Sequence, residues 1–336
     1  FTLTKPEAPF LANLAMSAIG SVMSAEYGEQ LTKAGKLDQL NTQPVGTGPF
    51  RLQRWVRGSK IVLVRNPDFR DVRYTAQPAA GDADGQALLK KIIDGRWLQA
   101  NGVMALYPAN SVGDDIEFYT DESRSQVLTT WYGLRQQTEK LAVDGPNGEK
   151  FMRPSRCLAD FVAPKDSGIA DYAGLFAVTA GLGVEKKAQE FLADFDDYSA
   201  ILFKSLADRL AEAFAECLHQ RVRTDLWGYA HDEQLSNDAL IAEKYQGIRP
   251  APGYPACPDH SAKRELFRVL QAGEVGMELT DSMAMAPAAS VSGFYIGHPD
   301  STYFSVGRIG EDQVQDMAAR RGMDEAELRR LLGPNL

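Results

Sequence analysis

Residues 249–260 read RPAPGYPACPDH, and this stretch contains four prolines, one glycine, one arginine and one cysteine. Proline fixes φ and has no backbone N–H, so neither a helix interior nor a central strand accommodates this composition. The segment is therefore predicted to be extended. Its carbonyl groups are predicted to accept hydrogen bonds from another part of the molecule.

Three residues of this segment suit ligand binding. Gly253 permits close approach of the backbone, Arg249 offers a planar fork for a carboxylate, and Tyr254 adds an aromatic face with a polar tip. Together they fit a ligand that carries a carboxylate, an ammonium group and a flat heterocycle. On spacing alone, a proline-rich loop that only connects two elements is the alternative interpretation.

The composition excludes several classes of function. The chain has 336 residues, of which 44% are apolar, enough for one large domain or two ordinary ones. A net charge of −9, from 45 acidic and 36 basic residues, argues against a nucleic-acid surface, which needs clustered cations. The pairs Arg320-Arg321 and Arg329-Arg330 lie among acidic residues, and we interpret them as the solvated face of a terminal amphipathic helix.

No apolar run approaches the roughly 20 residues that span a bilayer, and the N-terminus lacks the pattern of a signal peptide. We therefore expect a soluble chain with no membrane partner. Cys157, Cys217 and Cys257 are an odd number of cysteines, far apart and without metal-ligand spacing. These features predict no disulfide framework, no metal site and a cytoplasmic location.

The chain divides into two parts of different composition, residues 1–71 and 86–336, joined by a linker at 72–85 that contains RYTAQPAAGDADG. The first part predicts a strand, a helix from near Pro9, a turn at 46–49 and two strands at 50–55 and 60–65. Through PEAPFLA, GTGPF and NPDF it resembles the periplasmic solute-binding proteins of peptide ABC transporters. It includes neither complete lobe of such a protein, so it cannot form that family's ligand cleft.

The second part alternates helices and strands. Helices are predicted at 86–97, through 134–137, at 198–223 and at 237–244, and strands at 101–109 and 174–179. On the long helix, an apolar stripe recurs every four residues, at Leu202, Leu206, Leu210, Phe214 and Leu218. Beside it runs a stripe of charged residues, Lys204, Asp208, Glu212 and Glu216, which without a further clue is interpreted as a solvated face.

Seven stretches of residues 86–336 are similar to the activation domain of cobalamin-dependent methionine synthase: YPANSVGDDIE, LRQQTEK, CLADFVAPK, ADRLAEAFAE, YQGIRPAPGYPACPDH, SVSGFYIGHPDS and GPNL. The resemblance implies an α+β fold, a twisted and largely antiparallel sheet with flanking helices. The N-terminal part is expected to form a small, incomplete strand and helix appendage.

The resemblance also implies a site for S-adenosylmethionine. Arg249 would meet the methionine carboxylate, and the ligand would be lined by Pro250, Ala251, Gly253, Tyr254, Tyr295 and Ile296. Asp208 and Glu212 would face the cobalamin-binding domain. The family motif Asp-Trp-Thr-Pro-Phe-Phe, whose aspartate helps hold the ligand's amino group, is absent from the sequence, so weaker binding is expected.

The resemblance implies that the chain supports the reductive methylation of cob(II)alamin, within methionine biosynthesis. The cobalamin would be held by a partner domain, because no histidine of this chain lies in an Asp-x-His-x-x-Gly motif. A flavodoxin-like or other electron donor would be a second partner. The resemblance implies no catalytic side chain in the chain itself, which is expected to be a methyltransferase component that is not active alone.

Two alternatives belong to other classes of protein. The interpretation as a transport binding protein rests on residues 1–71 alone. The interpretation as a Rossmann methyltransferase rests on Gly181-Leu182-Gly183, which follow the strand LFAVTA. The nucleotide-binding fingerprint there is incomplete.

Overall fold

The computed structural model describes residues 25–36, 50–56, 60–65, 80–137, 143–144, 150–152 and 154–336. The chain divides into two compact units, Phe1–Gln77 and Pro78–Leu336. The break lies within the predicted linker at 72–85.

The first unit contains one described helix, α1 (Ala25–Lys33), and one antiparallel hairpin, β1 (Phe50–Val56) with β2 (Lys60–Arg65). The two strands confirm those predicted at 50–55 and 60–65. The strand and helix predicted near Pro9 and the turn predicted at 46–49 lie outside the described residues.

The second unit is built on a five-stranded sheet. Its strands are β3 (Gln99–Val112), β4 (Asp115–Tyr119), β5 (Val127–Trp131), β8 (Asp171–Leu182) and β11 (Ser290–Tyr295). They lie in the order β11-β8-β3-β4-β5, and all four pairings between neighbours are antiparallel. This arrangement confirms the predicted α+β fold and excludes a parallel Rossmann sheet for these strands.

Short strands and flanking helices complete the described part of this unit. Two further strand pairs are β6 (Val143–Asp144) with β7 (Lys150–Phe151), and β9 (Glu278–Leu279) with β10 (Met285–Ala286). The helices are α2 (Ala80–Gly95), α3 (Val184–Ala193), α4 (Asp197–Arg221), α5 (Asn237–Ile241), α6 (Ala262–Leu270), α7 (Glu311–Arg321) and α8 (Glu325–Leu332).

Strand β8 shows why the sheet is covered on both faces. Successive side chains of a strand point to opposite faces, and nearly all those of β8 are buried. Leu175 and Ala177 belong to the apolar cluster that includes α6, whereas Phe176 and Val178 pack in the cluster that includes α4. The two helices therefore enclose the middle of the sheet.

Helix α4 buries the predicted leucine stripe only in part. The residues buried against the sheet are instead Ala200, Phe203, Ala207, Ala211, Ala215 and His219, while the leucines lie half-buried on one flank. Small side chains allow the helix to lie close to the strands. At Gly102 of β3, an added Cβ would lie 2.9 Å from Val178 Cγ1 and 3.1 Å from the Phe214 ring, so contact there is already tight.

Three predicted helices differ from the structure. Helix α2 begins at Ala80, within the predicted linker, and α5 ends at Ile241. Residues 134–137 are not helical, because Arg135 donates hydrogen bonds to Asp114, at 2.6 and 2.9 Å, and to Asp160, at 2.7 and 2.8 Å. This one side chain joins three of the seven family-like stretches, and its tertiary hydrogen bonds override the local preference for a helix.

The arginines of α7 are also not solvated as predicted. Arg320 forms an ion pair with the buried Asp115. Arg321 pairs with the buried Asp259 at 2.7 Å. Burial raises the pKa of Asp115, and the hydrogen bond from Arg320 opposes that rise. The two arginines attach α7 to the rest of the unit.

Candidate functional site

The proline-rich segment lies along the free edge of β11. Ile248 and Ile296 exchange backbone hydrogen bonds of 2.9 and 3.0 Å, and Phe294 N–H donates to the Pro250 carbonyl at 2.9 Å. The prediction that this segment offers its carbonyls as acceptors is therefore confirmed. Because Pro250 has no N–H to return, regular strand pairing ends there.

Two glycines allow this close approach. A Cβ at Gly293 of β11 would lie 2.4 Å from the Pro250 carbonyl oxygen. Gly253 has a φ of +96°, and a Cβ there would lie 2.0 Å from Cε1 of His260. Its N–H donates to the Cys257 carbonyl at 2.7 Å, which closes the turn. Only glycine fits both positions without displacing the segment.

Beside the segment lies an open cleft of about 520 Å³. Helix α4, the loop after α5, the proline-rich segment, β11 and the chain beyond it all contribute to its walls. Its lining residues include Glu212, Glu243, Arg249, Pro250, Ala251, Tyr254, Val291, Tyr303 and Phe304. The volume lies within the range of pockets for small molecules and cofactors.

Arg249 is held firmly at the cleft. Its Nη1 lies 2.7 Å from Glu216 Oε2, and it donates to the Tyr245 hydroxyl at 3.0 Å. The same Nη1 lies 3.3 Å from His219 Nδ1, and the backbone N–H of Arg249 donates to the Tyr303 hydroxyl at 3.0 Å. A long, flexible cation is thereby fixed in one orientation.

The cleft presents both signs of charge together with aromatic rings. Glu212 and Glu243 supply carboxylates, and Arg249 supplies a guanidinium. Burial raises the pKa of Tyr303, so its hydroxyl stays neutral and available for hydrogen bonds. The arrangement suits a zwitterionic ligand with a flat ring system.

The structure brings together most of the predicted ligand-binding residues. Four of them line the cleft: Arg249, Pro250, Ala251 and Tyr254. Gly253 forms the turn behind them. Tyr295 is 0% exposed and Ile296 is 2% exposed, so both lie beneath the cleft surface rather than on it.

The sequence analysis did not single out Tyr303 and Phe304, which line the cleft. A signal was present in the sequence, because TYFS follows directly after the family-like stretch that ends at Ser301. Glu243 was missed as well. It lies within the helix predicted at 237–244, which in the structure ends before it, at Ile241.

The acidic stripe of α4 is divided among several contacts. Asp208 and Glu212 are exposed and line a shallow cavity of about 280 Å³ with residues 288–291. Glu212 also lines the cleft beside Arg249. Glu216 pairs with Arg249, and Lys204 pairs with Glu185 at 3.0 Å.

Among the described residues, no group of three or more histidine, cysteine or acidic side chains is arranged to hold a metal ion. Cys157 and Cys257 are buried and Cys217 is exposed, all three as free thiols. In the same described ranges, no helix combines the length and the apolarity that crossing a membrane requires.

The glycines considered for a Rossmann motif have other roles. A Cβ at Gly181 would lie 2.4 Å from Cβ of Pro287, and Gly183, with a φ of +95°, starts helix α3. Gly181 allows tight packing against Pro287, and Gly183 forms the turn before helix α3.

Comparison with known proteins gives two family matches, whose ranges overlap at residues 69–93. Residues 1–93 match the family of bacterial extracellular solute-binding proteins, family 5 middle region. The periplasmic binding protein DppA from Helicobacter pylori, solved with the peptide STSA, is 28% identical over 33% of this chain and 26% of that one. Its TM-score of 0.19 carries no structural argument.

Residues 69–322 match the family described as vitamin B12 dependent methionine synthase, activation domain. A crystal structure of the MetH reactivation domain bound to AdoHcy is 53% identical, covers 76% of each chain and superimposes with a TM-score of 0.71. The chain therefore belongs to the activation domain family of vitamin B12 dependent methionine synthase.

Proposed function

We propose that this chain binds S-adenosylmethionine in the cleft beside residues 249–255 and supports reductive methylation of cobalamin held by another domain. The observation that carries the proposal is the cleft itself, whose lining combines Arg249, two carboxylates and aromatic side chains. The solved relative was crystallised with AdoHcy, the demethylated form of this ligand.

Arg249 is assigned to the carboxylate of the ligand. Within the described part of the chain, its side chain makes its hydrogen bonds through Nη1, so Nε and Nη2 remain to donate. A planar guanidinium can bind one carboxylate on each of two edges. Glu216 takes the first edge, and the second is available to the ligand.

Glu212 and Glu243 are assigned to the positive charges of the ligand, its ammonium and sulfonium groups. Tyr254, Tyr303 and Phe304 are assigned to its adenosine part, because aromatic rings stack on flat heterocycles. The bound ligand supplies the methyl group. The chain supplies binding and orientation, which is how proteins assist cofactors that carry their own reactive group.

Asp208 and Glu212 are assigned to the contact with the cobalamin-binding domain, because both are exposed on α4 next to the cleft. The chain then acts as a component of a methyltransferase, with a flavodoxin-like or other donor supplying the electron. All these roles belong to the second unit, which begins at Pro78. A cytoplasmic location stays a prediction.

Calorimetric titration of the full chain with S-adenosylmethionine tests the binding proposal. Tyr254→Ala should weaken binding, since this ring lies in the cleft. Tyr198→Ala is a matched control, because Tyr198 lies on α4 outside the lining residues and is 57% exposed against 58% for Tyr254. Absence of heat at millimolar ligand, or equal loss in both variants, would contradict the proposal.

A second experiment tests the partner. The full chain is mixed with a separately prepared cobalamin-binding domain and a chemical electron donor, and methylation is followed by visible absorbance. Asp208→Asn should slow the reaction because charge-assisted hydrogen bonds are about twice as strong as neutral ones. The exposed Asp194→Asn is the control. An unchanged rate in both variants would remove Asp208 from the contact.

A further inference from the structure

A layer of buried polar groups lies directly below Arg249. Four of its atoms are fully buried and have no hydrogen-bond partner in the described part of the chain: Glu216 Oε1, His219 Nε2, Arg223 Nη1 and the Tyr295 hydroxyl. His219, Arg223 and Tyr295 are each 0% exposed as residues. A buried donor or acceptor without a partner costs about 1–3 kcal/mol, so four in one protein require an explanation.

Contacts link the four residues into one cluster, in which Glu216 and His219 both lie close to Arg249 Nη1, at 2.7 and 3.3 Å. Arg223 Nη1 lies 3.9 Å from Glu216 Oε1, too far for a direct hydrogen bond. The His219 ring stacks on the Tyr295 ring with a centroid distance of 5.2 Å and an interplanar angle of 14°. A polar separation of more than about 3.5 Å is one that a water molecule can bridge.

The hydrogens available in the cluster can be assigned. Arg223 uses Nε and Nη2 for Glu233, both at 2.7 Å, so Nη1 still has hydrogens to donate. Arg249 can only donate to His219 Nδ1, which places the proton of the neutral ring on Nε2. Burial and the two neighbouring arginines lower the pKa of His219 to about 2, so the ring stays neutral.

We propose that one trapped water joins these four atoms, and that this hydrated cluster orients Arg249 for the carboxylate of its ligand. The water accepts hydrogen bonds from Arg223 Nη1–H and His219 Nε2–H, and donates to Glu216 Oε1 and to the Tyr295 oxygen. Each orphaned atom then has a partner, and the water makes four hydrogen bonds, within the usual range for buried water. The orienting role rests on the proposed function, whereas the water itself does not.

The consequence for Arg249 follows from the shared carboxylate. Glu216 holds Arg249 through Oε2 and would hold the water through Oε1, so both of its oxygens are fixed. Because the Glu216 carboxylate is held at both oxygens, it holds the guanidinium plane of Arg249 in one orientation. In that orientation the second edge of the guanidinium faces the cleft. Tyr295 is then a positioning residue, which acts through the water, Glu216 and Arg249 without touching the ligand.

The test compares Tyr295→Phe with Tyr229→Phe in the full chain. Tyr229 is a nearby half-buried tyrosine whose hydroxyl donates to the Gln246 carbonyl at 3.4 Å, outside the cluster. Each protein is titrated with S-adenosylmethionine and with its decarboxylated analogue, which keeps both positive charges. The preference for the carboxylate should fall about threefold to tenfold in Tyr295→Phe and stay unchanged in Tyr229→Phe.

The outcomes separate the two proposals. If the parent chain binds neither compound, the proposed function fails and the orienting role fails with it. If the parent chain prefers the carboxylate and Tyr295→Phe keeps the full preference, only the orienting role is overturned. A crystal structure of the ligand-free chain decides independently whether the water is present. Density within hydrogen-bonding distance of the four atoms supports the water, and a site without such density overturns it.

Discussion

The cleft has two walls whose shapes have different origins. The proline-rich segment at 249–255 has a path that local rules dictate, and its glycine turn and carbonyl contacts agree with what the sequence predicted. Helix α4 forms where its sequence predicts a helix, yet its most buried residues are the alanines next to the predicted leucine stripe, which is only half-buried. Backbone restrictions can therefore be predicted from the sequence residue by residue, whereas the orientation of a helix depends on the elements packed against it.

The largest effect is expected from breaking the turn of the first wall. Gly253→Ala places a methyl group against His260 at a positive φ, where strain alone costs about 1–3 kcal/mol. We expect about 3 kcal/mol lower free energy of unfolding and loss of ligand binding, measured by urea denaturation and calorimetry. Gly273→Ala, where an added Cβ meets nothing within 4 Å, is the control. Equal stability of the two variants would show that the turn adapts.

The second prediction removes the cation of the first wall. Arg249→Ala should weaken S-adenosylmethionine binding about 50-fold and Arg249→Lys about fivefold, because lysine keeps the charge and loses the fork. Calorimetric titration measures both. Equal losses would assign the effect to the fork alone, and unchanged binding in both would take Arg249 out of the site.

The third prediction tests the helix wall by overpacking it. Ala211→Leu inserts a larger side chain between α4 and the sheet and should lower the free energy of unfolding by about 1.5 kcal/mol. Ala213→Leu, on the exposed side of the same helix, should have little effect. Urea denaturation measures both. If the two variants are equally stable, the alanine face is not the packing face.

The smallest effects are expected from the acidic residues of α4. Asp208→Asn and Glu212→Gln each remove one charge from a repelling series, so stability should hold or rise by a few tenths of a kcal/mol. Only Glu212→Gln should weaken S-adenosylmethionine binding, because Glu212 lines the cleft and Asp208 does not. Equal affinities of the two variants would place Glu212 outside the ligand site.

Part of the candidate site could be predicted from the sequence. Arg249, Gly253 and Tyr254 lie in one short segment whose geometry is fixed by prolines, so their proximity follows from the chain itself. Tyr295 is buried and does not line the cleft, for a physical reason. Alternate residues of a strand face opposite sides of a sheet, and which side is covered depends on the elements packed there.

The sequence alone determined the extended segment, the hairpin strands at 50–55 and 60–65 and the existence of the long helix, because these depend on dihedral restrictions and periodicity. Only the tertiary structure decided which face of α4 is buried, that Arg135 joins separate loops, and that Arg320 reaches a buried carboxylate. It also gathered four orphaned polar atoms beneath Arg249. These features depend on contacts between residues distant in sequence, which local preference does not encode.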